Sequence, residues 1–442
     1  MTSVTKATPI VWNIIEEHFN EAEFLFGQWE RALRSPRFDL SDLGTKIEQR
    51  LEAHLDGLVV GGPAVAERVL CQELKNLEEP GRAKTAALTL LFDLSLDTAN
   101  QVVDVALEAE EPLQSAVSRA IILADVAHLD ALLLERFREA EQEADLAILL
   151  KILTARGVDT RYKADGCLES SCPALTVAAL ESATRFQSTS ALAFAESHLD
   201  AVDTHLRKTA LIAGITLGSR MAWEYCLHVA AGSGIFDPEL QAIIAVLGTP
   251  DDHEILYRQL EIPAQLDKKI WVLGFCGTDR SADVCLGFLR NPDERVAKAA
   301  ADSLAWIGGL DLSLEKFQKP PAEPAEEATL PPIEKDDLNA DLSLTGFDDI
   351  AVPNPEPIMH WWNSFRDRLV QGRLYTLGQQ RSAQTRIYAL EVGALWRRHV
   401  IGLELAARSG GACQVSTDAF STRQRRQISA LKSVCFSDSQ IR

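Results

Sequence analysis

In the stretch RLEAHLDGLVVGG, a histidine and an acid two positions apart, His54 and Asp56, lead into a glycine cluster at Gly57, Gly61 and Gly62. Histidine titrates near neutrality, so an imidazole close to a carboxylate is a common core of general acid–base chemistry. That chemistry also needs a nucleophile, a second base or a metal. No serine or cysteine nucleophile, second histidine or metal-ligand spacing stands beside His54 in the sequence. Ile47, Leu51, His54 and Leu58 instead fall at spacings of four, three and four, which sets His54 on the margin of an apolar helical stripe. The glycines that follow are where such a helix stops. The spacing therefore predicts a half-buried histidine near a helix C-terminus, a place the helix dipole favours.

The other chemistries with a sequence signature are missing as well. The chain has no P-loop, no GxGxxG after a strand, no GxSxG and no HExxH. Its eight cysteines are scattered, and the closest pair, Cys167 and Cys172 in CLESSC, lacks CxxC spacing. The nine histidines are dispersed; His198 and His205, seven apart, read as packing or capping residues rather than metal ligands. The expectation is no catalytic residue, no cofactor and no metal.

What organises the chain is a period. RAKTAALTLLFDL starts at Arg82, LQSAVSRAIILAD at Leu113, ADLAILLKILTAR at Ala144, LTVAALESATRFQ at Leu175 and LRKTALIAGITLG at Leu206, each 31 residues after the last. Looser copies begin at Leu240, Leu266 and Arg295. Between copies lie second amphipathic stretches, such as DTANQVVDVALEA from Asp97, AHLDALLLERFREA from Ala127, RMAWEYCLHVAA from Arg220 and RSADVCLGFLRN from Arg280. Two helices and two turns fit in 31 residues, and each pair buries its apolar face only against the next. The predicted fold is all-α: a HEAT-like α-solenoid of helix pairs over 62–312, slightly short in repeat length, behind a helical N-terminal cap over 1–61. Leu88, Leu90, Ile121 and Leu211 should be buried between helix pairs. In the cap, Ile15, Phe19, Ala22, Phe26 and Trp29 share one face, as do Leu43, Ile47, Leu51, Leu55 and Leu58.

HFNEAEFLFGQWERAL, the segment from Pro36 to Leu43 and RLEAHLDGL, together with WWNSFRDRLVQGRLYTLGQ and RRHVIGLELAARSGG further on, resemble an uncharacterised bacterial HEAT-repeat family. Members of that family are often encoded beside type VI secretion spike and effector genes. The resemblance spans the chain but brings no catalytic residues with it. It implies a genomic setting and a protein-binding role.

Composition shifts after the repeats. Residues 319–357 hold eight of the 18 prolines and ten acids against two lysines, so 313–357 reads as an acidic, flexible or extended linker in which LSLTGFDDI is a candidate anchor. The tail, 358–442, has 13 Lys or Arg and five acids, and reads as a basic helical region with Trp361, Phe365 and Leu369, then Leu395, Leu403 and Ala407, facing inward. Its RQRRQISALK cluster reads as a solvated face or an internal partner for the acidic linker, ahead of nucleic-acid contact or an external acidic protein.

Overall charge is −20, which argues against sequence-independent nucleic-acid binding. No stretch approaches the roughly 18–20 apolar residues that cross a bilayer, and the N-terminus carries no signal pattern. The expectation is a cytoplasmic protein with no nucleic-acid or membrane partner. The second helices of the pairs carry Asp97, Asp104, Glu108, Asp130, Glu135, Glu139, Glu196 and Asp200, which were they to line the concave side would attract a protein with a basic surface. The function expected is a binding scaffold, an adaptor or chaperone for a type VI secretion effector; the alternatives are an immunity protein that blocks a toxin, or an enzyme with an unrecognised cleft. The basic tail is expected to occupy or flank the same acidic wall.

Overall fold

Each of the eight sequence copies is a helix in the computed structural model, which describes residues 10–92, 96–232, 237–320, 346–370 and 372–433. Among the described residues the fold is all-α apart from one two-stranded hairpin and an isolated bridge between Gln318 and Pro353. Two long helices, α1 (Trp12–Ala32) and α2 (Gln49–Val60), precede the copies, with shorter helical turns over residues 40–48 and 62–73. The copies themselves are α3 (Pro80–Phe92), α5 (Leu113–Leu123), α7 (Glu143–Arg156), α8 (Pro173–Arg185), α10 (Thr204–Thr216), α12 (Pro238–Leu247), α14 (Leu266–Leu273) and α16 (Glu294–Gly308). The stretches between them form α4 (Leu96–Glu108), α6 (Leu129–Glu139), α9 (Ala191–Ser197), α11 (Arg220–Gly232), α13 (His253–Gln259) and α15 (Asp279–Phe288), with only a short turn of helix, Arg161–Ala164, between α7 and α8.

Alanine explains how the first helices of the pairs come together. Ala83, Ala86 and Ala87 in α3, Ala178, Ala179 and Ala183 in α8, and Ala299, Ala300 and Ala301 in α16 are all buried, and their small side chains let one helix lie against the next. Direct packing of first helix on first helix runs from α3 to α10 and again from α12 to α16. The 31-residue register breaks at the same place, between the copies at Leu206 and Leu240. The buried apolar residues divide near there too, into one body from Ile15 to Ala213 that also takes in Leu395, and another from Leu199 onward that also takes in Leu40.

The C-terminal region bridges that break. Helix α17 (Pro355–Arg366) lies near α16, the hairpin pairs Tyr375–Thr376 with Gln379–Gln380, and α18 (Ala383–Val392), α19 (Leu395–Arg408) and α20 (Ser421–Ser433) follow. Helix α19 packs on both α10 and α12. Leu395 N–H donates to Phe38 O at 2.8 Å, and Trp396 N–H to Ser35 O at 3.3 Å, so the far end of the chain meets its beginning. Glu48, buried near the start of α2, completes that joint. It accepts the Trp29 indole N–H at 2.8 Å and the backbone N–H of Ser421 at 2.9 Å, an anion set on the N-terminus of α20.

Several expectations change in detail. Within the segment read as a linker, Lys319 N–H donates to Val352 O at 2.8 Å and Asn354 N–H to Phe317 O at 2.8 Å, so its two ends are pinned together. The Gly346–Asp349 turn buries Phe347 edge-on against Trp396, with ring centroids 5.1 Å apart; Leu342 to Thr345 of LSLTGFDDI lie outside the described residues. In α17 it is Trp362, not Trp361, that is fully buried. In α19 the inward stripe of Leu395, Leu403 and Ala407 is too narrow. Leu403 and Ala407 are only half-buried, while Trp396, Arg397, Arg398, Val400, Ile401, Glu404 and Leu405 are all buried because protein surrounds that helix on most sides.

Arg397 is the most demanding of these residues. It is fully buried, donates from Nε to Asp302 Oδ2 at 2.9 Å and from Nη1 to Trp271 O at 3.2 Å, and lies over the rings of Trp271, Phe275, Trp306 and Trp396 at 4.8–5.8 Å. An arginine so enclosed is tolerable only because carboxylate, carbonyl and ring faces replace water on each side.

Two predictions follow from this packing. Leu90, fully buried in α3, should tolerate no charge: Leu90→Asp should cost about 3 kcal/mol or more, read as a lowered midpoint in urea unfolding. Asp302→Ala strands the Arg397 cation and should cost about 3–5 kcal/mol, whereas Asp302→Leu combined with Arg397→Met should recover much of the loss, because both charges are removed together. A double variant as unstable as Asp302→Ala would contradict that account.

Candidate functional site

Three places in the fold bring chemistry together: the His54 corner, the acidic second helices and the space beneath the C-terminal region. At the first, α2 ends at Val60 with Gly61 as its cap, and Gly62 takes φ +65°, so two of the three glycines do terminate the helix. Gly57 has another purpose. A Cβ there would sit 2.9 Å from the His18 ring, so the glycine lets α1 and α2 close up around that imidazole. His18 is the second histidine that sequence spacing did not reveal. Its Nδ1 lies 3.0 Å from His54 Nδ1, and one of the two nitrogens must carry the proton for the other to accept. Burial, with the charge of His18 next, pushes the His54 pKa below the ordinary histidine value. Asp56 is exposed and is not a partner in this contact. The corner is a helix-packing contact with a protonation requirement.

The eight predicted acids lie on the second helices, where the structure divides them into two groups. Asp104 pairs with Arg136 and Asp130 with Arg156, while Glu196 accepts from Ser219 Oγ at 2.6 Å, so these three tie one helix pair to the next. Asp97, Glu108, Glu135, Glu139 and Asp200 stand exposed on α4 and α6 and just beyond α9. The basic tail does not cover them, contrary to expectation.

Apart from Arg366, which pairs with Asp283 on α15, much of the tail's polar reach goes to the first helices, and the reason is electrostatic and local. The last carbonyls of a helix lack intrahelical donors and carry its negative partial charge. Residues of the C-terminal region supply those donors in turn. Arg423 Nη1 donates to Ile122 O at the end of α5 at 3.2 Å, and its Nη2 to Ala155 O at the end of α7 at 3.0 Å. Gln414 Nε2 reaches Arg185 O at the end of α8 at 3.0 Å, and Arg408 Nη2 reaches Val246 O in α12 at 2.8 Å. Arg397 serves Trp271 O in α14, and the hairpin's Leu377 and Gly378 N–H groups serve Trp306 O and Ile307 O in α16. The RQRRQISALK cluster is likewise engaged: Arg425 donates to Leu40 O, Arg426 pairs with Asp125 and Lys432 with Glu391. Surface ion pairs with the second-helix acids would have contributed about 0–1 kcal/mol each. Capping buried carbonyls while covering apolar surface is worth more.

Between the tail and the first helices lies a cleft of about 960 Å³, with Trp271, Trp396 and Phe347 as apolar wall and Arg34, Lys268 and Glu239 as charged rim. His399 stacks on Trp271, with ring planes 15° apart. Its ring reaches the cleft solvent while protein packs around most of it, and that desolvation holds its pKa below the ordinary value. The buried thiols offer no nucleophile: burial pushes Cys226 and Cys285 up to about 12 and raises Cys276 as well, so they stay protonated. Among the described residues no group of three or more His, Cys, Asp or Glu is placed to hold a metal, and no helix is long and apolar enough to cross a membrane.

Sequence reading missed His18, Glu48, Arg397, Arg408 and Arg423. One signal was present: Asp302 is a lone acid inside the apolar run of RVAKAAADSLAWIG, which calls for a buried cation somewhere else in the chain. Compared with models of known protein families and with curated proteins, the chain matches none.

The His18–His54 contact has a pH signature. A folded-state pKa below the unfolded one means that the unfolded chain binds more protons, so the stability from this contact is present above about pH 6.5 and is lost as pH falls through that value. Melting temperature should therefore drop between about pH 7.5 and 5.5, and the drop should be shallower in His54→Asn. Equal slopes for the two proteins would show that the pair does not contribute.

Proposed function

We propose that residues 62–312 form a HEAT-like solenoid of helix pairs and that the protein is a cytoplasmic, non-enzymatic binding scaffold for a partner with a basic surface. The observation that carries this reading is the contrast between the two sides of the array. Arg423, Arg408 and Arg397 of the C-terminal region are spent on first-helix carbonyls, while Asp97, Glu108, Glu135, Glu139 and Asp200 on or beside the second helices remain in solvent. Net charge of −20 extends that field. A face biased to one sign, here interrupted by Arg136 and Arg138, raises the encounter rate with an opposite surface and makes association salt-sensitive. The resemblance of the N- and C-terminal segments to a family encoded beside type VI secretion genes supports a secretion effector as the partner and adaptor or chaperone as the role.

The test is co-purification of the full chain from its native cell at low salt, followed by affinity measurement on the protein recovered. A basic effector or spike component is the expected partner. Glu135→Lys with Glu139→Lys should weaken its binding about tenfold or more and flatten the salt dependence, with melting temperature unchanged because both side chains are exposed. A recovered partner whose affinity ignores both the double variant and the salt concentration would place binding elsewhere. A partner whose toxic activity is blocked in the complex would make the role immunity rather than delivery.

A further inference from the structure

The pattern of helix-end arginines contains one exception. Arg156 is the last residue of α7, and its guanidinium turns back to Ile121 O at 2.6 Å and to Asp130. Arg185 is the last residue of α8, in the corresponding place one helix on. Its backbone carbonyl is taken by Gln414, yet its guanidinium makes no hydrogen bond or ion pair among the described residues. It is a half-buried cation with five donors and nothing to give them to.

The space in front of it is formed. One cavity of about 370 Å³ lies between α7, α8, α10 and α19, with Glu181, Arg185, Ile212, Leu403, Ala406 and Val415 in its lining; burial raises the pKa of the Glu181 carboxyl, which disfavours its charged form there. The Thr154 hydroxyl, buried in the same wall, also has no partner. A second cavity of about 220 Å³ meets the first at Arg185 and Val415 and adds the Ser416 and Thr417 side chains and Arg423. Three of Arg423's donor contacts go to carbonyls, so it faces Arg185 as a like charge with its own needs already met. Burial and the nearby Arg423 both hold the Arg185 pKa below the ordinary arginine value, with Asp418 opposing them. A guanidinium with no partner among the described residues, beside a second one and fronting a mainly apolar wall with an unpartnered hydroxyl, is a combination that an anion would complete, with Glu181 and Asp418 the carboxyl groups it would have to share the space with.

We propose that these joined cavities bind a small organic carboxylate with an apolar body, its carboxylate held by the Arg185 guanidinium and its body lying against Ile212, Leu403 and Ala406. A carboxylate's two oxygens match the planar fork of an arginine, and the desolvated setting favours a charged acceptor over a neutral one. The chamber that would hold the apolar body, about 370 Å³, is at the lower end of the range for ligand pockets, which fits a short-chain acid rather than a nucleotide or a peptide. This site lies under the C-terminal region, apart from the acidic outer helices, and does not depend on the scaffold reading.

The experiment is titration calorimetry on the full chain with sodium octanoate, and with octanol and octylamine as probes of the same body without the anion. Octanoate should bind saturably at one site, and octanol and octylamine should bind about tenfold more weakly or worse. Arg185→Gln should lose about tenfold or more in octanoate affinity, and Arg185→Lys should recover part of it, since the charge returns without the fork. If Arg185→Gln does not fold, Leu403→Trp fills the apolar end while leaving the guanidinium in place, and its loss of octanoate binding supports the same assignment. No saturable octanoate binding, equal binding of octanol, or octanoate binding unchanged in a folded Arg185→Gln or Leu403→Trp overturns it.

Discussion

A helix that stops inside a protein leaves its final carbonyls facing neither a donor nor water, and this array stops one first helix after another along the same edge. The carbonyls at Ile122, Ala155, Arg185, Val246, Trp271 and Trp306 each receive a donor from the C-terminal region, through Arg423, Gln414, Arg408, Arg397 or a hairpin N–H. Buried unsatisfied carbonyls cost about 1–3 kcal/mol each, so an array that lacked these donors would stand to lose more than the few kcal/mol by which proteins are stable. The tail is therefore part of the fold of the array, not an attachment to it.

The same constraint explains where the charge goes. A tail with 13 cations in a chain of net charge −20 would be expected to settle on acids. Exposed acids compete poorly because water already solvates them well, whereas a half-buried helix terminus gains a donor that its own helix does not supply. Arg397 is the extreme case: four aromatic rings and Asp302 enclose it, and the reach of α19 into the α14–α16 corner fixes how the C-terminal region sits on the rest. From that corner, α19 runs across the gap between α10 and α12, and α20 returns to Glu48 near the start of the chain.

This arrangement leaves two surfaces with different chemistry. The outer second helices present carboxylates to solvent, interrupted by the pairs that Asp104 and Asp130 make with Arg136 and Arg156. The inner side is lined by tryptophans, arginines and one accessible histidine, and is divided into chambers by the tail itself.

Periodicity by itself determined the helices. Apolar residues recurring at helical spacing every 31 positions can bury themselves in only one way, and all eight copies are helical with Leu88, Leu90, Ile121 and Leu211 buried. The break in that period after the Leu206 copy even marked where the core divides. Contacts across long sequence separations were decided only by the tertiary structure. His18 and His54 are 36 residues apart, Asp302 and Arg397 are 95 apart, and Glu48 and Ser421 are 373 apart. No local pattern encodes such a pair: His54 on the margin of its stripe and Asp302 in its apolar run hint at burial, but nothing near either one names the partner that lies far off in the chain. The acids of the second helices were legible as a charged face; which face the tail would choose was not, since that turned on backbone carbonyls, which every residue carries and no sequence displays.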